Sequence, residues 1–454
     1  MRTKSFLIAG LVPLIGGTTS YAQQKERPNV IFILTDDMGI GDLSCYGASL
    51  PITTPHLDQM ASEGIRFTQY YCASPISSPS RAGLLTGQHP ARWNITSYLQ
   101  SKEGNRNAEM ADYLDPKAPS LPRMLKESGY KTAHFGKWHL GGGRDVKNAP
   151  SIIEYGYDEY ASTYESPDPD PLLTASDWIW SENDSVKRWE RSGYFVDKTI
   201  DFLKRNKGTP CFINLWPDDV HTPWIGNEEQ MTIFPDGSSS MSNFLTVLKE
   251  YDRQMGLLMQ KLKEEGFDKN TIVIFTSDNG PGPSLNHIRT NGLRGCKASL
   301  FEGGIRMPFI VWSGGNLIPN GRVDSTTVIS AMDMLLSLSK IGNAPVPFSV
   351  VSDGEDMSKA LLGTAQKRNK EIYWEYRRRE HKAFPSPEGY DKSPNICIRQ
   401  GDWKLLVSES GTWVILYDLK QDPYETHNVS KKHPEVVEVL KKKALDWRGS
   451  LPKL

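Results

Sequence analysis

The sequence predicts an α/β protein: a large mixed, mostly parallel sheet flanked by helices, followed by a smaller C-terminal α+β unit. Three observations carry that expectation. Asn29-Val30-Ile31-Phe32-Ile33-Leu34 and Thr271-Ile272-Val273-Ile274-Phe275 are nearly continuous apolar, β-branched runs, the pattern of strands covered on both faces. Asn243 to Gly266 sets Phe244, Val247, Leu248, Tyr251, Met255, Leu258, Met259 and Leu262 at helical spacing, a stripe fit to cover such a sheet. Beyond about residue 345 the texture changes to short alternating runs, as in an antiparallel meander. The chain therefore divides into a leader at 1–22, a larger unit at 23–345 and a small antiparallel-sheet unit at 346–454.

A chain of 454 residues is long enough for two units with a large core. A formal charge of −1 gives no general attraction to nucleic acid or to acidic membranes, so an anionic ligand must be met by positive charge concentrated locally. Residues 1–22 read as a secretory signal: Arg2 and Lys4, then the apolar stretch Phe6 to Ile15, then Ser20-Tyr21-Ala22 as a cleavage site. Export to the periplasm or the medium follows. No other segment is long and apolar enough to serve as a transmembrane helix. Cys45, Cys72, Cys211, Cys296 and Cys397 lack metal-type spacing and read as packing residues, with one disulfide allowed.

In chain order, the first strand ends at Asp36-Asp37, two carboxylates that are costly to bury unless a cation joins them. Ser77-Ser78-Pro79-Ser80-Arg81-Ala82-Gly83-Leu84-Leu85-Thr86-Gly87 follows. Pro79 disfavours helix for Ser78, which predicts Ser77 in a turn and a helix from Pro79 to Gly87. A residue just ahead of a helix faces free N–H groups and the positive end of the dipole, which suits an anion. Ser120 to Gly129 reads as a capped amphipathic helix, and Lys131 to Phe135 as a strand that leads to Lys137 and His139. Those two lie two apart, so an extended backbone points both the same way. Ala149 to Asp184 is aromatic, acidic and irregular, a long loop layer over a site. Pro210 to Leu215 is the next strand, with Asp218, Asp219 and His221 behind it. The strand at 271–275 leads to Asp278-Asn279, then to Lys297 and a strand at Phe309 to Trp312. Pro345 to Phe348 reads as a linker; Glu371 to Tyr376, Ile396 to Ile398, Trp403 to Val407 and Trp413 to Tyr417 as short strands; and Pro434 to Trp447 as a terminal helix.

Four clusters thus fall just after strands: Asp36/Asp37, Lys137/His139, His221 and Asp278/Asn279. In open α/β sheets, ligands bind outside the carboxyl ends of the strands, so these clusters can converge. Oxygen ligands from Asp36, Asp37, Asp278 and Asn279 suit a hard cation such as calcium or magnesium. Arg81, Lys137 and Lys297 supply positive charge for an anionic ester, and His139 and His221 are proton carriers near neutral pH.

The run from Ser77 to Gly87 resembles the signature of the formylglycine-dependent sulfatases: Cys or Ser-x-Pro-Ser-Arg, four residues, then Thr-Gly. Gly129 to His139 resembles the second signature of that family. His221 stands where the family has Pro-His-Thr-Pro, with Val220 in place of the first Pro. Lys297 stands where it has Arg-Gly-Gly-Lys, with Cys296 in place of the second Gly. Leu416-Tyr417-Asp418-Leu419 and Asp422-Pro423-Tyr424-Glu425 resemble its small C-terminal domain, so the likeness runs along nearly all of the mature chain.

The resemblance implies an alkaline phosphatase-like fold and a serine-type carbohydrate sulfatase. Ser77 is then oxidised to formylglycine by a maturation enzyme of the kind that works without oxygen, and one calcium ion is held by Asp36, Asp37, Ser77, Asp278 and Asn279. In the family, a hydroxyl of the hydrated aldehyde attacks sulfur. The resemblance makes His221 and Lys297 the donors to the leaving sugar alcohol, and gives His139 the second hydroxyl proton, so that sulfate is released. The expected substrate is a terminal sugar of a sulfated glycan, cleaved in the exo mode. Asp218, Asp219 and Arg378, one of the run Arg377-Arg378-Arg379, are candidates to contact the sugar. Two other readings stand beside this one. A phosphatase or phosphonate hydrolase of the same superfold could use Ser77 directly, although the His and Asp ligands are too few for its two-metal site. A non-catalytic glycan-binding relative would not need the intact polar set.

Overall fold

A computed structural model describes residues 27–176, 178–231, 239–378 and 384–452. The leader expected at 1–22 and Arg379 lie outside the described residues.

The larger sheet holds nine strands: β1 (Asn29–Thr35), β2 (Ile65–Tyr71), β3 (Lys131–Gly136), β4 (Glu159–Ser162), β5 (Cys211–Trp216), β6 (Thr271–Ser277), β7 (Arg306–Trp312), β8 (Arg322–Asp324) and β9 (Ile329–Ser330). Their order is β4-β3-β5-β1-β6-β7-β2-β8, with β9 also paired to β2. Every pairing is parallel except those of β7, which runs against both β6 and β2. β4 falls inside the stretch read as loop. Its four residues were too short a run to stand out, and the edge of the sheet gives them their pairing with β3.

The continuous apolar character of β1 has a direct cause. Val30, Phe32 and Leu34 enter one core, while Ile31 and Ile33 enter another on the opposite face. The first core receives Leu84, Leu121, Leu125 and Leu338 from the helices Ser77–Thr86, Leu121–Glu127 and Met334–Ile341. The second receives Leu57, Phe195 and the stripe from Phe244 to Leu262, on the helices Pro55–Glu63, Arg191–Arg205 and Ser239–Glu264.

The C-terminal meander is a four-stranded antiparallel sheet, β10 (Ile372–Glu375), β11 (Ile396–Gln400), β12 (Trp403–Val407) and β13 (Val414–Asp418) in sequential order. It alternates as such a sheet should. Ile396, Ile398, Leu405, Val407 and Leu416 meet Leu440 and Ala444 of the helix Pro434–Ser450, while Trp374, Cys397, Leu406 and Tyr417 join the first core of the large sheet. All five cysteines are free, four of them buried. Among the described residues, no helix is long and apolar enough to cross a membrane.

Candidate active site

The four strands that precede the sequence clusters are neighbours in the sheet, in the order β3-β5-β1-β6, and they run parallel. Their carboxyl ends therefore share one edge. There Asp36, Ser77, Lys137, His139, Asp218, His221 and Lys297 line a single cavity of about 300 Å³. Asp37, Arg81, Asp278 and Asn279 stand directly behind it, bonded to the residues that line it or to one another.

Ser77 opens the helix Ser77–Thr86 instead of preceding it. Pro79 is the third helical residue, where the missing N–H has no intrahelical acceptor to lose, so the helix begins two residues earlier than the sequence suggests. Ser77 is 2 % exposed, and its Oγ lies 3.2 Å from both Asp36 Oδ1 and Asn279 Oδ1. One turn on, Arg81 donates from Nε and Nη2 to Asp278 Oδ2 at 3.0 and 2.8 Å, and from Nη1 to the Lys137 carbonyl at 3.0 Å.

Each buried carboxylate has a cationic partner. Lys137 Nζ donates to Asp36 Oδ2 at 2.7 Å, and Lys297 Nζ to Asp37 Oδ2 at 2.7 Å. Burial works to raise the Asp36 carboxyl, but Lys137, His221, Arg81 and Lys297 overcome it and hold the group well below its usual range. Asp37 is likewise lowered: burial opposes ionisation, and Lys297 with His221 outweighs it. Asp278 is the exception. Burial pushes it up to about 6, Arg81 works against that, and the charges of Asp36 and Asp37 reinforce it. Asp37 Oδ1 accepts from Asn279 Nδ2 at 2.7 Å, which turns the Asn279 carbonyl oxygen towards Ser77. Asp36, Asp37 and His221 each offer one ligand atom within 4.8 Å of the others. Asp278 adjoins that group through its Oδ1, which receives the Asp37 N–H at 3.2 Å.

The two histidines have defined tautomers. His221 Nδ1 faces its neighbour's carbonyl, Thr222 O, at 2.6 Å and must donate to it, so Nε2 is the acceptor of the Lys297 ammonium at 3.2 Å. Burial, and then Lys297, lowers the His221 pKa. His139 Nε2 stands 3.1 Å from the Leu99 carbonyl and donates to it. Its Nδ1 is 3.3 Å from Glu165 Oε2 but lacks a hydrogen-bonding alignment. Burial, only partly opposed by Glu165, pushes His139 down to about 3, so the ring is neutral at pH 7. Lys137 and His139 do face one cavity as expected, but not from an extended strand: His139 adopts a left-handed backbone, φ 53°.

The expected sugar contacts divide. Asp218 lines the cavity and is paired with Arg191 at 2.7 Å and Arg188 at 3.3 Å. Asp219 is turned behind it, to Arg188 at 2.8 Å and the Ser192 hydroxyl at 2.5 Å. Arg378 does not reach the cavity; Nε and Nη2 each donate to Glu375 at 3.0 Å. The strand just before it ends in an acid, Glu375, three residues away, which takes the charge expected to face the sugar.

Glu165, Arg144, Tyr98, Tyr164 and Arg188 also line the cavity, and no sequence pattern had singled them out. Glu165 bridges Arg144 at 3.2 Å and Lys137 at 3.8 Å. Burial would raise its carboxyl, but His139, Lys137 and Arg144 bring it down to about 2. The Cys296 substitution leaves the lysine in place. Gly295 takes the positive φ of 84°, and the N–H groups of Lys297 and Ala298 bond to Pro281 and Pro75 carbonyls at 2.8 Å each.

Comparison with known proteins identifies the family. The family model described as Sulfatase matches residues 28–343. An N-acetylgalactosamine-6-O-sulfatase of Bacteroides thetaiotaomicron is 30% identical over 503 residues, covering 92% of each chain. A solved structure from work on the metabolism of multiple glycosaminoglycans by Bacteroides thetaiotaomicron superposes with a TM-score of 0.73 at 27% identity, covering 92% of this chain and 98% of the other. A crystal structure of Ps i-CgsB in complex with k-i-k-neocarrahexaose shares the fold, with a TM-score of 0.77 at 24% identity and 93% of each chain covered. The chain belongs to the sulfatase family and is a sulfuric ester hydrolase.

Proposed function

We infer that the protein is an exported carbohydrate sulfatase that removes sulfate from a terminal sugar of a glycan, with Ser77 working as formylglycine and one calcium ion beside it. The observation that carries the reading is the convergence of Arg81, Lys137 and Lys297 with three carboxylates around Ser77 at one end of the sheet. The relatives' names make 6-sulfated N-acetylgalactosamine the first substrate to try.

The donor set fits calcium. Asp36, Asp37, Asp278, Asn279 Oδ1 and the oxygen on residue 77 are hard ligands, gathered by the contacts of Ser77 Oγ with Asp36 and Asn279 at 3.2 Å and of the Asp37 N–H with Asp278 at 3.2 Å. Formylglycine at 77 would supply the oxygen nucleophile for sulfur, and calcium would draw charge from the sulfate oxygens. The remaining work falls to the chain itself. Arg81, Lys137 and Lys297 compensate the charge that builds on the sulfuryl group. The proton between Lys297 Nζ and His221 Nε2 is the one offered to the leaving alcohol, since His221 Nδ1 is committed to the Thr222 carbonyl. His139 takes a proton at Nδ1, its free lone pair, and Glu165 stabilises the cation so formed. The set supports one cation rather than two, which disfavours direct phosphoryl transfer from an unmodified Ser77. An enzyme that oxidises Ser77 without oxygen is the partner this reading requires.

The test is purified native protein on an aryl sulfate, the matching aryl phosphate and N-acetylgalactosamine 6-sulfate. Turnover of the sulfates alone is expected; phosphate turnover at a comparable rate overturns the reading.

A further inference from the structure

The catalytic cavity does not end at its rim. Ile179, His221 and Thr222 line it and also line a neighbouring recess of about 440 Å³, which Trp178, Trp180 and Pro223 complete. Trp180 in turn opens a depression of about 720 Å³ walled by Trp189 and Ile225. This trough leaves the site beside His221, which lines both the cavity and the recess. Trp178 is 55 % exposed, and its ring lies 6.0 Å from that of Tyr164, which lines the catalytic cavity. Exposed indole surface continuous with a catalytic cavity marks a ligand groove. Flat aromatic faces edged by carboxylates suit a sugar ring, whose C–H face rests on the indole while its hydroxyls donate at the edge.

Charge narrows the class of sugar. Among the described residues, the rim of the outer depression carries the carboxylates of Glu182 and Glu228 beside Lys187. That lysine's ammonium is tied to the Glu182 and Asp184 carbonyls at 2.8 and 2.7 Å. A uronate or a second sulfate would meet like charge there, whereas an uncharged sugar would not.

We propose that the trough is a subsite for a neutral sugar linked to the sulfated one, so that the substrate is an oligosaccharide rather than a free sulfated monosaccharide. The proposal rests on the reading that the sulfated group is a sugar.

The experiment compares kcat/KM for N-acetylgalactosamine 6-sulfate, the same sugar linked to galactose, and the same sugar linked to glucuronic acid. The galactose-linked compound is expected to exceed the monosaccharide at least tenfold, and the glucuronate-linked one to show no such gain. Trp178→Ala and Trp180→Ala should each reduce the galactose-linked rate towards the monosaccharide rate. Equal rates on the free sugar and its galactose-linked form, a matching gain with glucuronate, or an equal fractional loss on all three in both variants overturns the proposal. If aryl sulfate is hydrolysed and none of the three sugars is, the functional reading has failed and the trough is judged by binding alone. The unsulfated galactose-linked disaccharide is then titrated against the protein's tryptophan fluorescence. A saturable change that the Trp178→Ala, Trp180→Ala double variant loses sustains the subsite. No change at millimolar sugar removes it.

Discussion

His134 sits under the active site, walled by Trp138, Tyr157 and Trp216 with ring centroids 5.1 to 5.5 Å away. Neither ring nitrogen finds a well-aligned hydrogen bond. Burial first, and then Arg81, pushes its pKa down to about 3. A folded pKa below the unfolded value of 6.5 means that the unfolded chain takes up a proton the folded chain refuses. Its contribution is therefore full above pH 6.5 and declines as the pH falls from 6.5 towards 3, at about 1.4 kcal/mol per unit. His134→Phe should flatten the fall in unfolding free energy between pH 6.5 and 4, read from denaturant titrations at each pH. An unchanged slope would show that other groups carry it. Two further outcomes belong to single residues at the site. Peptide mass spectrometry of native protein should show Ser77 short by two hydrogens, and unmodified serine in fully active protein would sink formylglycine. Asp278→Ala should abolish sulfate release and also the stabilisation that added calcium gives wild type, about 2.7 kcal/mol at a hundredfold excess over Kd. A calcium-dependent rise in Tm that survives in the variant would mean the ion sits elsewhere.

At the scale of elements, the helix Ser77–Thr86 approaches its neighbour closely at one glycine. A Cβ on Gly83 would stand 2.3 Å from the Ala73 Cβ, far inside contact. Helix propensity alone says that Gly→Ala stabilises by about 1 kcal/mol. Here close packing reverses the sign, so Gly83→Ala is expected to lower stability by about 1–3 kcal/mol and to reduce kcat by displacing Ser77 and Arg81. A variant with wild-type Tm and rate would show that the approach relaxes freely. The same contrast explains what the sequence made legible. Strands buried on both faces, such as β1 and β6, announce themselves by continuous apolar runs, and their ends fix where Asp36, Asp37, Asp278 and Asn279 must gather. Lys137, His221 and Lys297 were legible through signature spacing. Glu165, Arg144 and the Trp178–Trp180 edge were not, because they stand on irregular backbone whose path is set by tertiary contacts; Arg144 Nη2 to Glu165 and the His139 N–H to the Glu165 carbonyl are examples. Arg378 failed for the opposite reason: a local partner, Glu375, takes its charge before any cleft does.

For the whole molecule, the two units expected on either side of residue 345 are predicted to unfold together. The segment that presents Lys297 is braced by the C-terminal region along its length. Arg294 donates to the Tyr417 hydroxyl at 2.7 Å, the Gly295 N–H to Asp391 at 3.0 Å, the Leu300 N–H to the Ser393 hydroxyl at 3.0 Å and the Glu302 N–H to Glu425 at 2.6 Å. Trp374 adds an indole bond to the Cys72 carbonyl at 2.8 Å. Beneath these, Lys404 is fully buried between Glu302 at 2.9 Å and Glu425 at 2.8 Å. Burial pushes Glu425 up to about 7, against the pull of Lys404 and with the repulsion of Glu302. Replacing Lys404 with Met would leave two carboxylates facing each other without a cation, a loss of about 3–5 kcal/mol for a broken buried pair. Since both units share that core, full-length protein should unfold in one calorimetric transition, and Lys404→Met should shift that single transition down instead of splitting it. The chain ending at residue 345 should fail to give a folded, active enzyme, because it exposes the apolar face that Trp374, Leu406 and Tyr417 cover and frees the Lys297 segment. Two separate transitions in the full chain, or aryl sulfate turnover by the truncated one, would establish two independent domains.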